Sequence, residues 1–164
     1  MARPSRRLRL GLGFTVAAVV LTGVIVAHEL GSPTRGVEQA PHADAPACAD
    51  IAEGYPAALD GHELADTGVP GVAVWGDQSV VLRCGLEPPA PTTDLCVTVD
   101  SVDWVYRQDE SGDGRKVIIT YGRDPAVEVA FDAQDTAVDR ALVELSRIVR
   151  PIRQRNHCVD STGG

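Results

Sequence analysis

The sequence predicts an α+β domain. We expect a small antiparallel sheet of about four to five strands, with a short N-terminal helix and a C-terminal helix packed on one face. A single transmembrane helix should precede it. Three observations lead there. Four arginines stand before an uncharged apolar run, Leu10 to Ala27. Short β-branched and aromatic segments, punctuated by Gly, Asp and Pro, fill residues 72–131. A single apolar stripe at helical spacing follows them.

The apolar run is 18 residues long. That is close to the roughly 20 needed to span a bilayer and longer than the about 7–15 of a signal-peptide core. An uncleaved anchor is therefore expected over 10–27, with cleavage and secretion as the alternative. Arg3, Arg6, Arg7 and Arg9 keep residues 1–9 cytoplasmic by the positive-inside rule and place the remainder outside. Residues 28–47 carry Pro33, Pro41 and Pro46 and little that could bury a core, so they read as a stalk. The folded domain is expected over 48–158, with a flexible tail at 159–164.

Within the domain, Cys48, Ile51, Tyr55 and Leu59 share a helical face, and Pro56 ends that helix near Gly54. Val72–Trp75 and Val80–Leu82 read as strands split by Gly76-Asp77. Val97–Val99 and Val102–Tyr106 flank Asp100-Ser101, and their alternation changes phase there, as a two-residue hairpin turn requires. Lys116–Tyr121 and Ala126–Phe131 complete the strand segments. Val138, Ala141, Leu142, Leu145, Ile148 and Val149 form the final helical stripe, with Thr136 and Asp139 as a capping-box-like start and Pro151 as its stop.

Four cysteines, Cys48, Cys84, Cys96 and Cys158, all follow the apolar run, so an oxidising compartment and two disulfides are expected. Three pairings are possible. Cys84–Cys96 is preferred because it would close the Pro-rich loop between adjacent strands, leaving Cys48–Cys158. No Cys-x-x-Cys pair suggests a metal.

Residues 31–164 hold 11 Lys+Arg against 22 Asp+Glu, a net −11. Such a surface repels phosphate backbones, so nucleic acid is not an expected partner. The chain has no Gly-x-Ser-x-Gly elbow, His-Glu-x-x-His pair, phosphate loop or dinucleotide fingerprint. Catalytic residues are accordingly not assigned. No cofactor is expected beyond one option: Asp109, Ser111 and Asp113 with Gly114 match half of a calcium loop, although a hairpin tip explains the same residues. Trp75 and Trp104 read as core, or else as an aromatic platform for a ligand. The Pro-rich segment 86–93 reads as a stiff spacer.

The runs Val74-Trp-Gly-Asp77, Val80-Val-Leu-Arg-Cys-Gly85 and Pro88-Pro89 are distinctive. With Cys96, Val102-Asp-Trp104, Tyr121-Gly-Arg123 and Val127-Glu-Val129, the chain resembles an actinobacterial family of unknown function, domain-of-unknown-function family 3515. The resemblance covers roughly 47–150, and it departs where Asp100-Ser101 replaces an Asn-Gly turn. It implies an Arg-rich start, one apolar segment and a small extracytoplasmic domain, with no activity assigned. Its members are often encoded near a D-alanine–D-alanine ligase, which implies cell-wall fragments or envelope proteins as partners. Arg83 and Arg123, cations in an acidic domain, are the binding candidates. Arg83 either pairs with a neighbouring acid or takes a ligand carboxylate such as a D-Ala terminus. The expected function is a non-catalytic envelope binding or scaffolding module. The alternative is a carboxylate-dependent enzyme or accessory factor of wall metabolism using Asp77, Asp103 or Glu128.

Overall fold

A computed structural model describes residues 32–159. The expected anchor at 10–27, the cytoplasmic tail at 1–9 and most of the tail at 159–164 lie outside the described residues. No described helix is long and apolar enough to cross a membrane.

The elements are α1 (Pro46–Ala52), β1 (Ala58–Leu59), β2 (His62–Glu63), β3 (Val72–Trp75), β4 (Val80–Leu86), β5 (Cys96–Val99), β6 (Val102–Tyr106), β7 (Arg115–Thr120), β8 (Ala126–Asp132) and α2 (Val138–Val149). Strands β1 and β2 form a separate hairpin. The other six make one antiparallel sheet in the order β3-β4-β8-β7-β6-β5. The class is the expected α+β. The sheet has six strands rather than four to five because every apolar segment in 72–132 finds an antiparallel neighbour.

The period-2 alternation divides the sheet into two faces. Val80, Leu82 and Cys84 of β4, Val127, Val129 and Phe131 of β8, Trp104 of β6 and Ile118 of β7 point to one side. There they pack with Cys48 and Ile51 of α1 and Ala141, Leu142, Leu145 and Val149 of α2 in the main core. Both helices therefore cover the same face. The opposite face carries smaller clusters, around Val72, Val74, Val81, Val117 and Ala130 at one end and Val105, Ile119 and Ala126 at the other.

The Asp100-Ser101 turn is as expected. Val99 opposes Val102, and both turn residues take positive φ, 45° and 65°. Helix α1 is shorter than its apolar spacing suggests. Pro46 occupies its first turn, where a missing N–H costs nothing, and only Cys48 and Ile51 share its buried face. Tyr55 lies beyond it, edge-on to Trp75 at 5.6 Å, and Leu59 is buried in β1.

The start of α2 corrects the capping-box expectation. Thr136 donates its hydroxyl to the Ser79 carbonyl rather than capping the helix. The cap comes from the β1–β2 turn instead. Asp60 Oδ2 accepts the Ala137 N–H at 2.5 Å, and Oδ1 lies 2.9 Å from Arg140 Nη2. A carboxylate at a helix N-terminus satisfies a free N–H and opposes the macrodipole.

The cysteine pairing is also corrected. Cys48 bonds Cys84, and Cys96 bonds Cys158. The preferred Cys84–Cys96 link assumed that β4 and β5 are neighbours. They are separated by β8, β7 and β6, four strand spacings or about 19 Å. Their side chains also point to opposite faces: Cys84 joins the core beneath α1, whereas Cys96 packs with Val105 and Ile119.

The stalk expectation changes in its described part. From residue 32 the chain lies along the sheet, with Ala40 and Ala43 buried. Gln78 Nε2 donates to the carbonyls of Pro33 and Arg35 at 3.1 and 2.9 Å, and the His42 N–H donates to the Gly85 carbonyl at 2.9 Å. Gly85 (φ 106°) makes this possible, because a Cβ there would stand 2.4 Å from the Ala43 nitrogen.

Candidate functional site

Two polar clusters interrupt the second face of the sheet. They are built differently, and only one is open.

The closed cluster centres on Asp103, buried in β6. Its Oδ1 accepts the Thr98 hydroxyl at 2.6 Å. Its Oδ2 accepts the Gln154 amide at 2.7 Å and the Cys158 N–H at 2.9 Å, with His157 Nδ1 at 3.4 Å. Burial alone would raise the Asp103 carboxyl. The Thr98, Cys158 and Gln154 hydrogen bonds and the nearby His157 outweigh burial and hold it below its ordinary value. Arg123 lies beside it, 3% exposed. Its guanidinium donates to the carbonyls of Arg150 (3.1 Å), Ile152 and Ser101 (3.2 Å) and to Gln154 Oε1 (3.0 Å). Arg123 thus satisfies carbonyls at and beyond the C-terminus of α2, where a cation also meets the favourable end of the helix dipole. Burial pulls its guanidinium below its ordinary value, and Asp103 opposes that. Gly122 lets the returning chain approach: a Cβ there would meet the Asn156 carbonyl oxygen at 2.0 Å. These groups are engaged with protein, apart from Arg123 Nε, which is buried without a partner. In this structure Arg123 clamps the C-terminal segment.

The open cluster lies over β4, β8 and β7. Arg83 and Glu128 are directly opposite one another in the β4–β8 ladder. Arg83 Nη2 and Nε both donate to Glu128 Oε1, at 2.7 and 3.1 Å, and Nη1 reaches the Glu38 carbonyl at 3.3 Å. Arg83 therefore pairs with a neighbouring acid, the plainer of its two expected roles, while keeping an edge on the surface. Glu128 is 5% exposed, and its Oε2 is buried without a hydrogen-bond partner. An unsatisfied buried polar atom costs about 1–3 kcal/mol, which makes this a strained, non-core feature. The pair lines a hollow of about 280 Å³. Val81, Val117 and Ala130 contribute apolar surface to it. The segment 36–38, Gln78, Glu110 and Arg115 complete its lining. Glu110 is paired with Arg107, whereas Arg115 has no side-chain partner among the described residues.

The other candidates fall elsewhere. Trp75 and Trp104 are wholly buried and present no ring face to a ligand. Their indole N–H groups donate to the Pro56 carbonyl and to Ser146 Oγ, both at 3.0 Å. Asp109, Ser111 and Asp113 sit in the loop before β7. The Ser111 hydroxyl donates to the Arg107 carbonyl and accepts the Val117 N–H, and Asp109 lies 3.9 Å from Arg107. Among the described residues no three His, Cys, Asp or Glu side chains gather as a metal site would need. Asp77 lies in the β3–β4 turn, so Asp77, Asp103 and Glu128 do not converge. A second concavity of about 640 Å³ runs between α1 and residues 64–73. Tyr55 borders it with a buried hydroxyl that has no partner, and burial pushes that phenol well above its ordinary value.

Sequence reasoning singled out Arg83 and Glu128 without pairing them, and missed Gln78 and Arg115. The available signal was a charge inside an apolar strand run, as in Val80-Val-Leu-Arg83 and Val127-Glu-Val129. Such a residue needs a partner across the sheet. No curated protein and no solved structure matches the chain. Residues 10–157 match the model of a family described as a protein of unknown function (DUF3515), and the chain belongs to that family.

Proposed function

We propose that this protein is a single-pass, membrane-anchored binding module on the outer side of the cytoplasmic membrane, without catalytic activity of its own. The hollow beside Arg83 and Glu128 is its ligand site. The observation that carries this reading is the Arg115 guanidinium, unpaired among the described residues, lining the same small hollow as a part-buried, already neutralised Arg83–Glu128 pair. Arg115 supplies a cation for a ligand carboxylate. Arg83 and Glu128 supply a rigid wall. At about 280 Å³ the hollow is just below the roughly 300–1,000 Å³ of drug-sized sites, so a peptide end or wall-fragment terminus is the fitting size. Two disulfides and the arginine-flanked apolar run support the location. The alternative enzyme reading needs a second carboxylate free to act beside Glu128. Asp77 and Asp103 do not line the hollow, and of the two other acids that do, Glu38 and Glu110, Glu110 is paired with Arg107.

The test is a thermal-unfolding titration of the full chain in detergent with D-Ala-D-Ala. Ligand at 100 times its dissociation constant adds about 2.7 kcal/mol, which raises the Tm by roughly 10 °C in a domain of this size. Arg115→Ala should remove the rise and leave the ligand-free Tm unchanged. Cooperative unfolding with no rise in the unaltered protein overturns the site.

A further inference from the structure

Among the described residues, the large hydrophobic side chains left exposed are Leu95 (67%), Val97 (40%) and Val159 (91%). All three are near β5 in the chain or through its disulfide, and Leu95 and Val97 share one face of it. Leu95 and Val97 flank Cys96 in and beside β5, and Val159 follows Cys158, which is disulfide-bonded to Cys96. Strand β5 is the last strand of the sheet, and nothing among the described residues pairs with its outer side. An open edge bearing apolar side chains and no Lys or Pro lacks the usual protections against pairing.

We propose that β5 pairs with β5 of a second copy of this chain, antiparallel, with Val97 on the two-fold axis. The register follows from the ladder. The Leu95 carbonyl accepts the Tyr106 N–H, so Leu95, and by alternation Val97 and Val99, direct their backbone groups inward to β6. Cys96 and Thr98 direct theirs outward. Antiparallel pairing about Val97 matches Cys96 of one copy with Thr98 of the other through those outward groups. Val97 then meets its counterpart, and Leu95 meets Val99 of the other copy, on the face that already carries Trp104. The result is a continuous apolar ladder in which each side chain meets another apolar one.

The charges agree. This register brings Asp94 of one copy beside Asp100 of the other. Asp100 already stands 3.4 Å from Arg147 and 3.8 Å from Arg150. Two cations against one anion accommodate the second carboxylate. A strand of four residues buries much less than the roughly 1,200–2,000 Å² of a stable complex, so the dimer is weak in dilute solution. On the membrane-anchored reading proposed above, confinement of both copies to one membrane raises their effective concentration. The two-fold axis is normal to the sheet, so both copies keep α2 on the same side.

The test is register-specific cross-linking of the full chain in detergent, under mild oxidation, read on non-reducing gels. Peptide mapping confirms that the two introduced thiols are joined. Val97→Cys should cross-link readily, because the pairs across the axis have Cβ atoms about 4.5–5.5 Å apart. Leu95→Cys should not, because two copies of that position lie about 14 Å apart along the strands. It should do so only when mixed with Val99→Cys. Random collision predicts the reverse order, since Leu95 is the more exposed. Equal or faster cross-linking of Leu95→Cys overturns the proposal. So does the absence of a cross-link in Val97→Cys, with retained near-UV dichroism of the buried tryptophans showing that the variant is folded.

Discussion

Replacing Asp103 by alanine tests how the C-terminal segment is held. The carboxylate accepts hydrogen bonds from Thr98, Gln154 and the Cys158 backbone at 2.6–2.9 Å, and it neighbours the buried Arg123. Hydrogen bonds to a charged group contribute about 1.5–3 kcal/mol each, but the Thr98 hydroxyl can turn to other acceptors. Removing one member of a buried charge cluster typically costs about 3–5 kcal/mol, because the remaining charge is left uncompensated. We expect a loss in that range, a large part of the about 5–15 kcal/mol of an ordinary domain. Urea unfolding followed by the fluorescence of buried Trp75 and Trp104 would read it. With a urea slope near 2 kcal/mol per M, the midpoint falls by about 2 M. The pH dependence has a definite sign. The folded Asp103 carboxyl sits below its unfolded value. Its contribution is therefore complete above the unfolded pKa of about 4 and is lost as pH falls through the folded value. Asp103→Ala should lose less stability than the unaltered protein between about pH 5 and pH 2. A change under about 1 kcal/mol at neutral pH, or an unaltered acid limb, refutes the account of Asp103 as the anchor of this segment.

Two further outcomes follow from the same structure. Non-reducing peptide mapping should find Cys48 joined to Cys84 and Cys96 to Cys158. Loop entropy assigns about 3.8 kcal/mol to the first bridge and about 4.3 kcal/mol to the second, from separations of 36 and 62 residues, so the Cys96→Ser, Cys158→Ser double variant should unfold at clearly lower denaturant. Asp60→Ala removes the cap on α2 and should cost about 1 kcal/mol by the same unfolding assay, whereas Thr136→Val, at the position a capping box would use, should not uncap the helix.

Local features of the fold were legible in the sequence where their cause is local. The β5–β6 turn declared itself by a phase change across two residues. Helix α2 declared itself by six apolar positions on one stripe. Strand β3 spans the expected Val72–Trp75. What depends on strand order was not legible. The disulfide pairing needs the knowledge that three strands lie between β4 and β5. The packing of residues 32–45 needs small residues against glycines, a pattern with neither helical nor strand periodicity. The cap on α2 arrives from 77 residues away. The candidate site was half legible for the same reason. Arg83 and Glu128 stand out as charges in apolar runs, but their opposition is a matter of register between strands 45 residues apart. Arg115 and Gln78 lie at strand and turn positions where a polar residue attracts no notice.

The bridges join consecutive cysteines, first with second and third with fourth, and this has a consequence for synthesis. A domain that emerges into an oxidising space in sequence order presents Cys84 while Cys48 is the sole other thiol there. The first bond therefore has one possible partner. Once it has formed, Cys96 waits alone until Cys158 emerges, so the second bond is equally unambiguous. The nested alternative would have held Cys48 open past two competitors until the last residues arrived. With consecutive pairing, emergence in sequence order offers each new thiol its native partner first.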